Sequence, residues 1–127
     1  MTRFTVYPTL EEALHLHAQL LARFGGRGGV RDLGLLESAL ARPKSGYYES
    51  LSEQAAALMQ SLARNHAFID GNKRMAFALC AVFLRVNGYV LQVHADEAET
   101  FLIGRVITSH AELDEIAGWL ERWMKAG

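Results

Sequence analysis

MAFALCAVFL, residues 75–84, is a long apolar run that places apolar side chains on every face of a helix. A helix of this kind has to be enclosed by other helices, although a run of this length is too short to span a bilayer. Asn87-Gly88 is a typical helix stop. The sequence therefore predicts a helix over 72–86 at the centre of a helical bundle.

Further helices are predicted on both sides of this run from apolar spacing and from start and stop signals. Thr9 and Glu12 form a capping box, and Gly25-Gly26 ends the helix that they begin. Asp32 caps a short helix that reaches residue 41, and Ser52 opens a helix that ends near His66. The remaining helices are predicted over 96–108 and 112–125.

One short strand is expected. Residues 89–93 alternate between polar and apolar and could pair with residues 4–7. The predicted fold class is therefore all-α, with about six helices around a central apolar helix and at most one short β-ribbon.

Length and composition restrict the function. The 127 residues fit a single domain, 1–127, and the net charge of −1 lacks the basic footprint of a nucleic-acid-binding protein. The single cysteine, Cys80, lies in the apolar run and is expected to be buried in a reducing compartment. The N-terminal residues do not form a secretory signal, so a cytoplasmic protein is expected.

The start of the helix predicted at residue 72 has an unusual charge pattern. Lys73 and Arg74 lie in its first turn, where the helix dipole disfavours each cation by roughly 0.3–1 kcal/mol. The same turn offers unpaired backbone N–H groups, and Gly71 allows a ligand to approach closely. A nucleotide phosphate would account for these features. Alternatively, both side chains reach into solvent or pair with Asp70.

His66 and Asp70 flank this helix start. A neutral imidazole can accept the proton of an attacking hydroxyl, and a carboxylate beside a phosphate is a natural ligand for Mg²⁺. Taken singly, Asp70 could equally be a helix cap and His66 a polar residue at a helix end. Phe68 is expected to anchor the loop in the core. Residues 25–29 are interpreted as a turn, because they lack the GK[ST] ending of a phosphate-binding loop.

At these residues the sequence resembles the Fic/Doc superfamily, and within it the Doc (death on curing) toxins. The family motif is H-x-F-x-[DE]-G-N-[GK]-R, and HAFIDGNKR at residues 66–74 matches every constrained position. The resemblance also includes residues 16–17, 24–26, 31–40 and 83–89, and so covers most of the chain. It implies a six-helix Fic/Doc fold with the motif in a loop between two central helices.

The resemblance also implies the roles of the site residues. His66 would be the general base, Asp70 the ligand of Mg²⁺, and Lys73 a catalytic cation. ATP would be bound by the anion hole and by a basic residue just before the motif; these residues are Arg64, Gly71, Asn72, Lys73 and Arg74.

Two residues separate this chain from the superfamily members that transfer AMP, in which the motif continues as G-N-G-R-x-x-R. Lys73 replaces a glycine and Phe77 replaces the final arginine. In Doc these changes accompany a reversed nucleotide, so the resemblance implies a kinase that phosphorylates a threonine of elongation factor Tu and blocks translation. Gly71, which AMP transferases share, and Met75, where Doc often has threonine, leave AMP transfer open. A Fic-fold module that only binds a nucleotide or a partner is a further alternative.

The resemblance finally implies a partner. The autoinhibitory motif of many Fic proteins, [ST]-x-x-x-E-[GN], is absent from the sequence. We therefore expect a type II toxin–antitoxin pair in which a Phd-like antitoxin inhibits this chain. The C-terminal segment of the antitoxin would fold into a groove on the toxin.

Overall fold

The computed structural model describes residues 4–127. Within this range there are six α-helices: α1 (Leu10–Phe24), α2 (Leu33–Ala41), α3 (Leu51–Arg64), α4 (Asn72–Val86), α5 (Ala95–Phe101) and α6 (Leu113–Trp123). A 3₁₀ turn, Arg42–Lys44, follows α2, and a π-helical segment, Leu102–Thr108, follows α5. Strands β1 (Tyr89–Leu91) and β2 (Met124–Ala126) pair antiparallel. The predicted all-α class with one short ribbon is confirmed.

Side-chain caps determine where the first three helices begin. The capping box of Thr9 and Glu12 opens α1, and the Asp32 carboxylate accepts the Leu35 N–H at the start of α2, both as predicted. Helix α3 begins earlier than predicted, because Ser50 forms a second capping box with Glu53. Ser52, which we expected to open the helix, instead donates a hydrogen bond to Glu121 over 2.7 Å.

Helix α3 is the most enclosed helix. Its residues 54–60 are all buried, and it packs against α4, α6 and α2. Its alanines at 55–57 allow neighbouring helices to approach closely. Helix α4 packs against α3 and α1, but Val82 and Val86 are 42% and 53% exposed. The expectation that α4 is enclosed on every face was therefore wrong, since one apolar face lines a groove beside α1.

The predicted partner of the short strand was also wrong. Strand β1 pairs with β2, and the Gly127 N–H extends this contact by donating to the Gly88 carbonyl. The chain leaves α6 at Trp123 and becomes extended, so that its backbone is free to pair. Val6, in the segment expected to pair, is held by a single side chain, the amide of Asn87.

The segment that follows α5 departs from regular α-helix. The helix predicted over 96–108 is α-helical only as far as Phe101, whose ring stacks on Trp119 with 4.3 Å between centroids.

Cys80 is buried as predicted, and its thiol points to the Ala55 carbonyl. Among the helices in residues 4–127, none combines the length and the apolarity needed to cross a membrane.

Candidate active site at the start of helix α4

Residues 65–71 form the loop that joins α3 to α4, and we call this segment the motif loop. Phe68 lies at its centre and is 1% exposed, as predicted for a residue that anchors the loop. Its ring stacks on the buried His17 of α1, with 3.9 Å between centroids and 16° between planes. The stacking ties the motif loop to α1.

Asn72 uses its side chain inside the motif loop. Its Oδ1 accepts the Phe68 N–H at 3.0 Å, and its Nδ2 donates to the Phe68 carbonyl at 2.9 Å. The amide therefore satisfies both backbone groups of a buried residue, which would otherwise lack partners. An anion at this position can meet the backbone N–H of Asn72, whereas the side-chain amide is already occupied.

The first turn of α4 presents free donors. Its first backbone hydrogen bond runs from the Met75 N–H to the Gly71 carbonyl, over 2.9 Å. Across residues 4–127 the N–H groups of Asn72, Lys73 and Arg74 have no hydrogen-bond acceptor. Gly71 itself is the N-cap, with a φ of +79° that favours glycine, so Asp70 is not the cap. These three free donors lie where the sequence predicts that an anion binds, and the binding itself stays a prediction.

Asp70 is exposed and ionised beside this site. Its Oδ2 accepts the Arg27 N–H at 3.1 Å, and its Oδ1 accepts the Gly71 N–H at 2.9 Å. These two bonds, with a smaller effect of the Arg74 charge, hold the pKa of Asp70 below its ordinary value. The Asp70 carbonyl accepts a hydrogen bond from Nε2 of His17 at 2.8 Å, which fixes the direction of the residue.

A magnesium ion at this site would depend on Asp70. Within the described residues, His, Cys, Asp and Glu side chains do not form a group of three around any point. Mg²⁺ commonly binds through one or two carboxylates, with phosphate oxygens and water as its other ligands. Asp70 meets this requirement, because it is charged and accessible and each of its oxygens keeps a lone pair. The residues present fit a metal that arrives with a nucleotide.

His66 is exposed at the other end of the motif loop, just after the end of α3. It adopts a φ of +52°, a left-handed conformation that is uncommon for any residue other than glycine. The guanidinium of Arg31 donates to the His66 carbonyl over 2.6 Å. An outlier of this kind at a candidate site indicates that surrounding contacts impose the conformation.

The loop over residues 25–32 is part of the site, although its first five residues, 25–29, were interpreted from sequence as a turn. The Arg31 and Asp32 N–H groups both donate to the Ala67 carbonyl, and the Ile69 N–H donates to the Gly29 carbonyl. A Cβ at Gly26 would lie 2.9 Å from Oδ2 of Asp70. We call residues 25–32 the glycine loop. Its glycines gave the only sequence signal of this contact, because close approach to another backbone is what glycine permits.

The predicted cations have different surroundings. Lys73 is exposed, and Arg74 lies over the Phe24 ring at 4.6 Å from its centroid. In the described part of the chain, neither forms an ion pair with Asp70. Arg64 donates to the carbonyls of Val106 and Ala111 and so ties α3 to the segment before α6. This bonding gives Arg64 a structural role, and its contact with phosphate stays a prediction.

Comparisons with known proteins agree with the sequence motif. A family model described as the Fic/DOC family matches residues 7–84, a range that includes the glycine loop and the motif loop. Toxin Doc of Mycolicibacterium smegmatis is 48% identical over 104 residues, which are 76% of this chain and 79% of that protein. Protein kinase doc of Escherichia phage P1 is 32% identical over 116 residues, which are 88% of this chain and 90% of that protein.

Proposed function

The chain belongs to the Fic/DOC family, and we propose that it is the toxin of a type II toxin–antitoxin pair and acts as an ATP-dependent protein kinase. Two relatives support this proposal, since one is named a toxin and the other a protein kinase. The observation that carries it is the first turn of α4. Three backbone N–H groups there are free, Lys73 in the same turn is exposed, and Asp70 just before the turn is charged.

The proposed reaction transfers the γ-phosphate of ATP to a protein hydroxyl. His66 takes the proton of the hydroxyl, whose oxygen bonds to the γ-phosphorus while the bond to the β–γ bridging oxygen breaks and ADP leaves. Lys73, Arg74 and the N–H groups of residues 72–74 hold the phosphates in line and neutralise their charge. Asp70 would hold Mg²⁺, which supplies further charge neutralisation on the phosphate oxygens.

The resemblance to Doc supports a specific substrate and inhibitor. We propose that the hydroxyl is that of a threonine of elongation factor Tu in the cytoplasm, and that its phosphorylation blocks translation. A Phd-like antitoxin is the proposed inhibitor. The groove between α1 and α4, with a volume of about 380 Å³ and with Val82 and Val86 along it, offers an apolar surface to an antitoxin segment.

AMP transfer is the second candidate, and Gly71 favours it. The AMP-transferring members share this glycine, and here it adopts a φ of +79°, a conformation that favours glycine. Lys73 and the half-buried Phe77 argue against it, because they replace the room and the cation that a second phosphate would need. The two candidates differ in which phosphorus of ATP reaches the target.

ATP labelled separately at the α- and γ-phosphates tests the proposal, with purified elongation factor Tu as the acceptor. We expect γ-label on the factor and no α-label, and we expect His66→Ala to abolish the transfer while the variant still folds. Label from the α-phosphate would establish AMP transfer instead. If His66→Ala inhibits growth as strongly as the parent, the chain acts by binding a partner.

A double variant tests what sets the nucleotide orientation. Lys73→Gly with Phe77→Arg restores the residues of the AMP-transferring motif, and it should raise the ratio of α-label to γ-label on the target. The single change Phe77→Arg is the control, because it adds the cation while Lys73 still occupies the space. An unchanged ratio in the double variant would show that these positions do not orient the nucleotide.

A further inference from the structure

We propose that Arg31 is a positioning residue that holds His66 in its left-handed backbone conformation and thereby aims its imidazole. The inference rests on the proposed function, in which His66 is the general base. Arg31 lies in the glycine loop, far from His66 in the sequence, and its guanidinium is exposed.

The contacts of Arg31 lie on both sides of one Cα atom. Its Nε donates to the His66 carbonyl at 2.6 Å, and its Nη2 donates to the Asn65 carbonyl at 3.1 Å. The Asn65 carbonyl belongs to the peptide plane before the Cα of His66, and the His66 carbonyl belongs to the plane after it. Because φ and ψ are the rotations that relate these two planes, a rigid planar fork that binds both carbonyls restrains the combination of the two angles.

Among the described residues, Arg31 is also the only hydrogen-bond partner of the His66 backbone. Asn65 is held by its Nδ2, which donates to the Leu35 carbonyl, and by its Oδ1, which accepts the Ala67 N–H. Ala67 is held by the glycine loop through its carbonyl. Among the described residues, the carbonyl of His66 accepts a hydrogen bond only from Arg31, while its φ of +52° is unfavourable for a residue with a Cβ.

The charge of Arg31 suits this place. Helix α3 ends at Arg64 with Asn65 as its C-cap, so the two carbonyls that Arg31 binds follow directly after the negative end of the helix dipole. A guanidinium satisfies two carbonyls there at low cost in desolvation, because both contacts are exposed. Removing it should therefore change the conformation of His66 more than the stability of the fold.

A direct measurement tests this geometry. The three-bond coupling between the amide and α protons of His66 reports φ by NMR and does not depend on any activity. We expect the coupling to change in Arg31→Met and to change less in Arg31→Lys, because an ammonium can satisfy one carbonyl but lacks the fork. Arg85→Met is the matched control, since Arg85 is exposed at the other end of α4 and its side chain makes no hydrogen bond in the described chain.

The kinetic arm uses γ-phosphate transfer. We expect Arg31→Met to lower kcat by about 10- to 100-fold, with the KM for ATP within about twofold of the parent, because small errors in the position of a catalytic group are costly. Arg31→Lys should recover part of kcat. If Arg31→Met does not fold, the kcat of Arg31→Lys and the His66 coupling in Arg31→Lys decide the question.

Three results would overturn the proposal: an unchanged His66 coupling, an unchanged kcat, or a raised KM for ATP with kcat intact, which would make Arg31 a phosphate ligand. If the parent transfers no phosphate, the proposed function fails. The coupling then still decides whether Arg31 sets the conformation of His66.

Discussion

Replacing Asn72 with alanine should destabilise the protein more than Glu12→Ala, which also removes a side chain that binds backbone near a helix start. The Asn72 amide binds the N–H and the carbonyl of Phe68 over 3.0 and 2.9 Å, and the Glu12 carboxylate accepts the Thr9 N–H over 2.9 Å. The two sites differ in burial, since Phe68 is 1% exposed whereas Thr9 is an exposed residue. Water can replace the lost carboxylate at Thr9 but not the lost amide at Phe68.

The expected magnitudes follow from this difference. Each buried backbone group left without a partner costs about 1–3 kcal/mol, so the two groups of Phe68 should together cost about 2–6 kcal/mol in Asn72→Ala. The higher helix propensity of alanine returns at most about 0.7 kcal/mol of this loss. Where water takes over, a lost hydrogen bond costs about 0.5–1.5 kcal/mol, and we expect Glu12→Ala to fall near that range.

Urea unfolding followed by circular dichroism measures both losses, provided that the slopes of the transitions remain equal. The centres of the two ranges above predict a difference of about 2–3 kcal/mol between the two variants. Equal losses, or a loss below about 1 kcal/mol for Asn72→Ala, would refute the argument that Asn72 is needed to satisfy a buried backbone.

Three further predictions concern the site and the core. Gly26→Ala should move the Asp70 carboxylate, because the new Cβ would lie 2.9 Å from Oδ2, whereas Gly25→Ala, also at positive φ, meets no atom within 4 Å and serves as the control. In the parent, an NMR titration should give Asp70 a pKa below its ordinary value of 3.8, and Gly26→Ala should raise it by withdrawing the Arg27 N–H. A lowered pKa means that the stability linked to this carboxylate is present above pH 3.8 and is lost as the pH falls through the folded-state pKa. An unfolding free energy that rises as the pH falls through this range would contradict the assignment. Burial raises the pKa of the Cys80 thiol to about 12, so a thiol reagent should label Cys80 at neutral pH only after unfolding, and rapid labelling of the native protein would disprove its burial.

Local signals in the sequence predicted much of this structure. Helix α4 begins and ends where its glycines and Asn87 indicated, and the caps of α1 and α2 are the residues expected from their spacing. These features depend on residues within one or two helical turns of each other. The free donors at the start of α4 could be located for the same reason, since helix starts carry free N–H groups wherever they occur.

The errors concern contacts between distant parts of the chain and contacts made with backbone groups. The pairing of β1 with β2 was missed because short strands carry little information about their partners. The use of the Asn72 side chain inside the motif loop, and the attachment of the glycine loop to it, depend on backbone groups that are the same in every residue. Side-chain patterns do not encode such contacts, so they did not identify Arg31 as a residue of the site.

The attachment of the glycine loop separates the assembly of the helical core from the assembly of the site. The loop has no helix of its own and is joined to the motif loop mainly through the N–H groups of Arg27, Arg31, Asp32 and Ile69. Local opening of these contacts should need much less free energy than global unfolding, so their amides should exchange with solvent well before those of α3. The protein can therefore become inactive while it remains folded, by releasing a segment that contains none of the reacting groups.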